Sequence, residues 1–137
     1  MRKDMMAMLA VLGLWAGAAG AEGQDDAAIR TVIESQLEAF NARDVNEAWT
    51  YASPMIQGMF GNAANFGMMV ENGYPMVWTN KSAEFGELRE VAGRLYQRVI
   101  VEDASGGRHV LEYQMIQTEA GWQINGVVVL PPEQLGV

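Results

Sequence analysis

The chain changes its hydrophobic period part-way along. Ile29, Val32, Ile33, Leu37 and Phe40 recur at helical spacing, with Arg30, Glu34 and Glu38 on the opposite side. That pattern predicts an amphipathic helix of about 16 residues, preceded by a frayed polar lead-in over residues 22–28. Asp25 and Asp26 suit a helix start and Arg43 a helix end, where each charge opposes the macrodipole. Asp44 and Glu47 have the spacing of a capping box. Val45, Ala48, Trp49 and Ala52 then form one face of a second short helix. Ser53-Pro54 stops it, because the residue before proline avoids the helical region. Residues 54–78 read as a long irregular connection, and such stretches serve as lids or binding loops when they do not plug a core. Within it Asn62 is a candidate cap for a third short helix, with Phe66, Met69 and Val70 inward and Gly73 at its end. Tyr74-Pro75 reads as an extended turn.

Beyond residue 80 the period falls to two. Ala83 to Val91 is a strand interrupted by Gly86, and Ala92-Gly93 is a tight turn. Arg94 to Asp103 is a second strand, with Leu95, Val99 and Val101 on one face and Tyr96, Arg98 and Ile100 on the other. Arg108 to Thr118 is a third, with Leu111, Tyr113 and Met115 sharing a face, and Trp122 to Leu130 a fourth. Pro131-Pro132 ends the ladder, since proline has no N–H to give it. Turns this short imply an antiparallel meander. The expected class is α+β, with N-terminal helices packed on a curved antiparallel sheet of about four strands, in one domain over residues 22–137.

The first 21 residues change the picture of where this domain works. Arg2 and Lys3 precede an apolar run from Met5 to Ala18, and Ala19-Gly20-Ala21 offers a small-x-small cleavage site. The run is short of the roughly 20 residues a membrane span needs. A signal peptide over residues 1–21 is therefore expected, with an exported, periplasmic product and no membrane attachment after cleavage. Seven basic and sixteen acidic residues then remain, a net charge of −9. Such a surface repels phosphates, so nucleic acid is not an expected partner. The absence of cysteine removes disulfides, thiolate nucleophiles and cysteine-held metals.

The segments Ala52-Ser53-Pro54-Met55-Ile56-Gln57-Gly58-Met59-Phe60, Gly73-Tyr74-Pro75-Met76-Val77-Trp78 and Gly121-Trp122-Gln123-Ile124-Asn125-Gly126-Val127 carry a resemblance. They resemble an uncharacterised exported bacterial family, domain of unknown function 4864. The resemblance implies a cystatin-like, cone-shaped fold similar to nuclear transport factor 2 and ketosteroid isomerase, with a pocket at the wide end. It implies no activity. The isomerases use a tyrosine donor, an aspartate base and a protonated aspartate. Here the first helix has no tyrosine, and the third strand has Glu112 and Tyr113 but no aspartate.

The chemistry-bearing residues are few. His109, the sole histidine, reads as a solvated strand-end residue. Met55 and Met59, four apart, could offer thioethers to Cu(I), yet methionine more often fills a core or lines a pocket. Trp49, Trp78 and Trp122 are core or pocket-wall candidates. Tyr51, Gln97, Glu112 and Tyr113 are the polar groups that could face inward; Tyr113 shares its apolar face, and Glu112 should point outward into solvent. The expected pocket lining is Phe40, Tyr51, Met55, Phe60, Phe66, Trp78 and Tyr113, with no catalytic residue, metal or cofactor assigned. Three readings result: a non-catalytic module binding a small apolar ligand or a protein partner; an acid–base enzyme, isomerase- or dehydratase-like, using Tyr51, Tyr113 or Asp44; and a homodimer paired through Tyr96, Arg98 and Ile100. The exported protein should begin at Glu22, and an intact mass retaining residues 1–21 would refute the cleavage site.

Overall fold

The computed structural model describes residues 25–135, so the expected signal peptide and the first mature residues lie outside the described residues. Helix α1 covers residues 25–41. Residues 25–28, expected as frayed lead-in, are helical. Their first turn is tethered, because Asp25 Oδ1 accepts the indole N–H of Trp122 at 3.3 Å. Ile29, Ile33, Leu37 and Phe40 are buried along one stripe of α1. Burial of each contributes about 2 kcal/mol, so this stripe is the main apolar contribution of the helical layer. Arg43 closes the helix. Its guanidinium donates to the carbonyls of Phe40 and Trp78 and lies 4.2 Å from the centre of the Trp78 ring.

Helix α2 (Val45–Thr50) starts at Asp44, whose carboxylate accepts the Glu47 N–H at 3.1 Å. Residues 54–78 are not an irregular connection but three helices: α3 (Pro54–Phe60), α4 (Ala63–Gly73) and α5 (Pro75–Trp78). Ser53 caps α3 by accepting the Ile56 N–H. Pro54 takes a first-turn position, where its missing N–H costs nothing. Gly61, at φ 82°, breaks the helix. Asn62 caps α4 through the Asn65 N–H at 2.8 Å, as the sequence indicated. Pro75 begins α5 in place of the expected extended turn.

The strands β1 (Ser82–Val91), β2 (Arg94–Glu102), β3 (Arg108–Thr118) and β4 (Gly121–Val129) form one curved antiparallel meander in the order β1-β2-β3-β4. A 3-10 turn, Pro132–Leu135, succeeds it. The α+β class and the four strands expected from the sequence are present, each boundary within a residue or so. Leu95, Val99, Val101, Leu111, Tyr113 and Met115 turn toward the helices and join the core.

Two irregularities shape the sheet. In β1 the register shifts between Phe85 and Leu88, leaving backbone carbonyls outside the ladder. Buried Gln97 answers this: its amide donates to the Gly86 carbonyl at 3.0 Å, which explains a glutamine on an otherwise apolar face. In β4, Asn125 is an extra residue, since Gln114 pairs with Gly126 and Met115 with Ile124. The bulge receives the chain between α2 and α3. Ser53 N–H donates to Ile124 O and Ile124 N–H to Tyr51 O, both at 2.8 Å. Ser53 Oγ donates to Asn125 Oδ1 at 2.7 Å, and Asn125 Nδ2 donates to Gln114 Oε1.

The outer sheet face carries Tyr96, Arg98 and Glu112. Glu112 is not solvated as expected. It takes a two-pronged contact from Arg89 at 2.8 and 3.1 Å, with Arg98 at 3.6 Å, and its side chain is only 11% exposed. Arg89 is itself 40% exposed, so solvent screens the pair.

Helix α4 packs on α2 at Gly67, where a Cβ would stand 2.7 Å from Val45 Cγ1 and 3.2 Å from Val45 Cβ. Val45 is β-branched and cannot swing aside freely. Gly67→Ala should therefore destabilise by roughly 1–3 kcal/mol, despite the helix-propensity gain. Val45→Ala should recover most of that loss in the double variant, read by urea denaturation. An additive double mutant would show that the contact does not set the helix spacing.

Candidate functional site

The helical layer does not fill the space over the β3–β4 end of the sheet. A cavity of about 300 Å³ remains there, at the lower end of the range for small-molecule sites. Its floor is Tyr113, Ile124, Asn125, Gly126 and Val127, and Gln36 and Phe40 of α1 bound one side. Phe66, Met69 and Val70 of α4, with Tyr74 and Val77, form the far wall. Helix α3 forms the rim through Met55, Ile56, Met59 and Phe60. None of the α3 residues is buried, and Met55 and Met59 are 53% and 66% exposed. A helix so lightly packed belongs to the least stable part of the fold. An aromatic cluster supports the wall: the Phe66 ring lies 5.9 Å from Phe40, 5.5 Å from Trp49 and 6.1 Å from Phe60.

No charged side chain lines the cavity among the described residues. Its polar groups are few and mostly occupied. Gln36 Nε2 donates to Ala48 O at 3.1 Å, and the Tyr74 hydroxyl donates to Val127 O at 2.9 Å. Both ends of the Asn125 amide are held by Ser53 and Gln114. Tyr113 differs. It is 1% exposed, and its hydroxyl has no hydrogen-bond partner among the described residues. A buried hydroxyl left unpaired costs roughly 1–3 kcal/mol. Burial also pushes the ionisation of this phenol far above its ordinary range, and the neighbouring Tyr74 adds to the shift, so the group stays protonated.

Of the residues expected to line a pocket, Phe40, Met55, Phe60, Phe66 and Tyr113 do so, and Tyr51 and Trp78 do not. Tyr51 ends α2, and its hydroxyl donates outward to Glu47 at 3.2 Å. Trp78 packs on Phe40, with ring centres 6.0 Å apart, and is covered by Arg43. Trp49 and Trp122 are also outside the lining. Asp44 is spent as the α2 cap. The acid–base reading thus retains Tyr113 in the cavity, with no carboxylate in the lining among the described residues. Sequence reasoning passed over Gln36, Ile56 and Asn125, and it left Met59 and Met69 as core or inward-facing residues outside the expected lining. Ile56 was within reach, since Ser53-Pro54 is a helix-start signal. Asn125-Gly126 inside a strand pattern was a bulge signal.

His109 is not simply solvated. Its Nε2 lies 2.7 Å from Asp103 Oδ2, across the β2–β3 turn. Asp103 also accepts the Ser105 and Gly107 N–H groups at 2.9 Å. The His109 bond, then the backbone donors, hold the Asp103 carboxyl below the usual carboxylate range.

The family described as domain of unknown function (DUF4864) matches residues 22–137. No curated protein matches the chain. Among solved structures, a phospholipid-binding protein from Ralstonia solanacearum, in complex with a phospholipid, is similar at 13% identity. The match covers 75% of this chain and 76% of that one with a TM-score of 0.45, too slight a likeness to carry over a ligand.

A depressed Asp103 pKa stabilises the fold above the unfolded carboxylate value, and that contribution is lost as pH falls through the folded value. Asp103→Asn should lower the melting temperature at neutral pH and flatten its fall below about pH 4. A variant with the wild-type acid profile would show that the turn does not depend on this carboxylate.

Proposed function

The chain belongs to the DUF4864 family, and we propose that it is an exported, non-catalytic module that takes a small apolar ligand into the cavity between its helices and sheet. The observation that carries this reading is the lining itself: apolar side chains from four helices and two strands enclose the space, with no charged group among the described residues. Apolar walls with a few fixed polar atoms are ordinary for small-molecule sites. The exposed α3 rim supports it further. Met55, Met59 and Met69 are flexible thioether side chains able to reshape around a guest. Export to the periplasm completes the proposal and rests on the N-terminal segment of the sequence.

The neutral dye N-phenyl-1-naphthylamine serves as the probe. The mature protein should take it up with micromolar affinity and a blue-shifted emission. Ile56→Trp, placed on the lightly packed rim, should fill the mouth and weaken uptake at least tenfold, a loss of about 1.4 kcal/mol of binding, with the fold intact by circular dichroism. Undiminished dye binding in a folded Ile56→Trp protein would move the ligand away from this cavity.

A further inference from the structure

We propose that the ligand is uncharged and carries an oxygen acceptor, such as a ketone or ester on an aliphatic body, and that the Tyr113 hydroxyl donates a hydrogen bond to that oxygen. This rests on the cavity being a binding site and adds the chemical class of what it binds.

Two observations lead there. The first is the absence of a charged side chain among the described residues of the lining. A carboxylate or phosphate drawn inside would lose its hydration with nothing to pair it. A cation would fare no better, since no acidic side chain among the described residues lines the cavity. The second is where the donors go. One N–H of the Gln36 amide is given to Ala48 O, one N–H of the Asn125 amide to Gln114 and the Tyr74 hydroxyl to Val127 O. The Tyr113 hydroxyl alone among these lining side chains has no bond to give up. Buried polar groups are almost always paired, so one left over beside a cavity calls for a partner from outside the chain.

Position agrees with this role. Tyr113 sits on β3, opposite Val127 of β4 and Gln97 of β2, in the floor of the cavity. Its hydroxyl is closed off from solvent. A guest reaches it by displacing wall side chains, of which Met69 is the most adaptable. The phenol remains a donor throughout the physiological range, because burial opposes its ionisation.

The test measures displacement of N-phenyl-1-naphthylamine by 2-decanone and by decanoate, from wild type and from Tyr113→Phe. Dye affinity is measured first for each protein, and each competitor's affinity is corrected for it. 2-Decanone should bind wild type three- to tenfold more tightly than the variant, and decanoate should bind both at least tenfold more weakly than 2-decanone binds wild type. Equal ketone affinities would overturn the role of Tyr113. Decanoate binding as well as the ketone would overturn the uncharged class. Failure of both proteins to take up the dye would instead sink the cavity as a binding site, and this inference with it. A melting curve guards against misfolding: Tyr113→Phe should melt no lower than wild type, as it deletes a hydroxyl with no partner, and a lower melting point would show that the hydroxyl is already bonded within the protein.

Discussion

The helical layer is tied to the sheet at the Asn125 bulge of β4. There a single inserted residue breaks the ladder, and the break is filled by the chain between α2 and α3. The contact is buried and well bonded: backbone groups of Tyr51 and Ser53 pair with Ile124, and Ser53 Oγ meets Asn125 Oδ1. The same serine caps α3. One buried residue therefore fixes the edge of the sheet, the start of the rim helix and the floor of the cavity. Loss of any partner here would strand buried polar groups, which is costlier than loss of a surface bond.

That seam sets the division of labour among the helices. Helix α1 supplies the apolar stripe that the inner sheet face needs, and Asn80 binds its end through the Leu37 carbonyl to the chain entering β1. Helices α4 and α5 lean on α1 through Phe66 and Trp78. Helix α3 buries none of its residues. It lies across an opening, held at its start and lightly packed thereafter. The region best suited to admit a guest is thus also the one whose displacement disturbs the fewest buried contacts.

The outer face shows the opposite arrangement. Arg89, Arg98 and Glu112 interlock there, and the Tyr96 hydroxyl accepts from Gln114. Inside the cavity, the Tyr113 phenol has no such partner among the described residues. A buried hydroxyl without a partner, beside an unfilled space, is where a group from outside the chain has a hydrogen bond to gain.

Much of this was legible in the chain. The apolar stripe of α1 and the alternation after residue 80 fixed the class, the strands and the inward side of Tyr113, because hydrophobic period reports local geometry directly. The Asp44 and Asn62 caps were legible for the same reason, as each acts on its own helix. Helices α3 and α5 were obscured by proline and glycine, whose cost at a first turn or a helix end is small but whose sequence signal resembles a break. What no local pattern could supply were the partnerships across the fold: His109 with Asp103, Glu112 between two arginines, Gln97 with a bulge carbonyl, and the unpaired state of Tyr113. Each depends on which strand register and which crossing of layers brings distant groups within 3 Å or so, the reach of a hydrogen bond. Composition and periodicity determined what this chain buries; only the tertiary structure decided which buried groups are satisfied, because satisfaction is a property of pairs that the sequence does not place side by side.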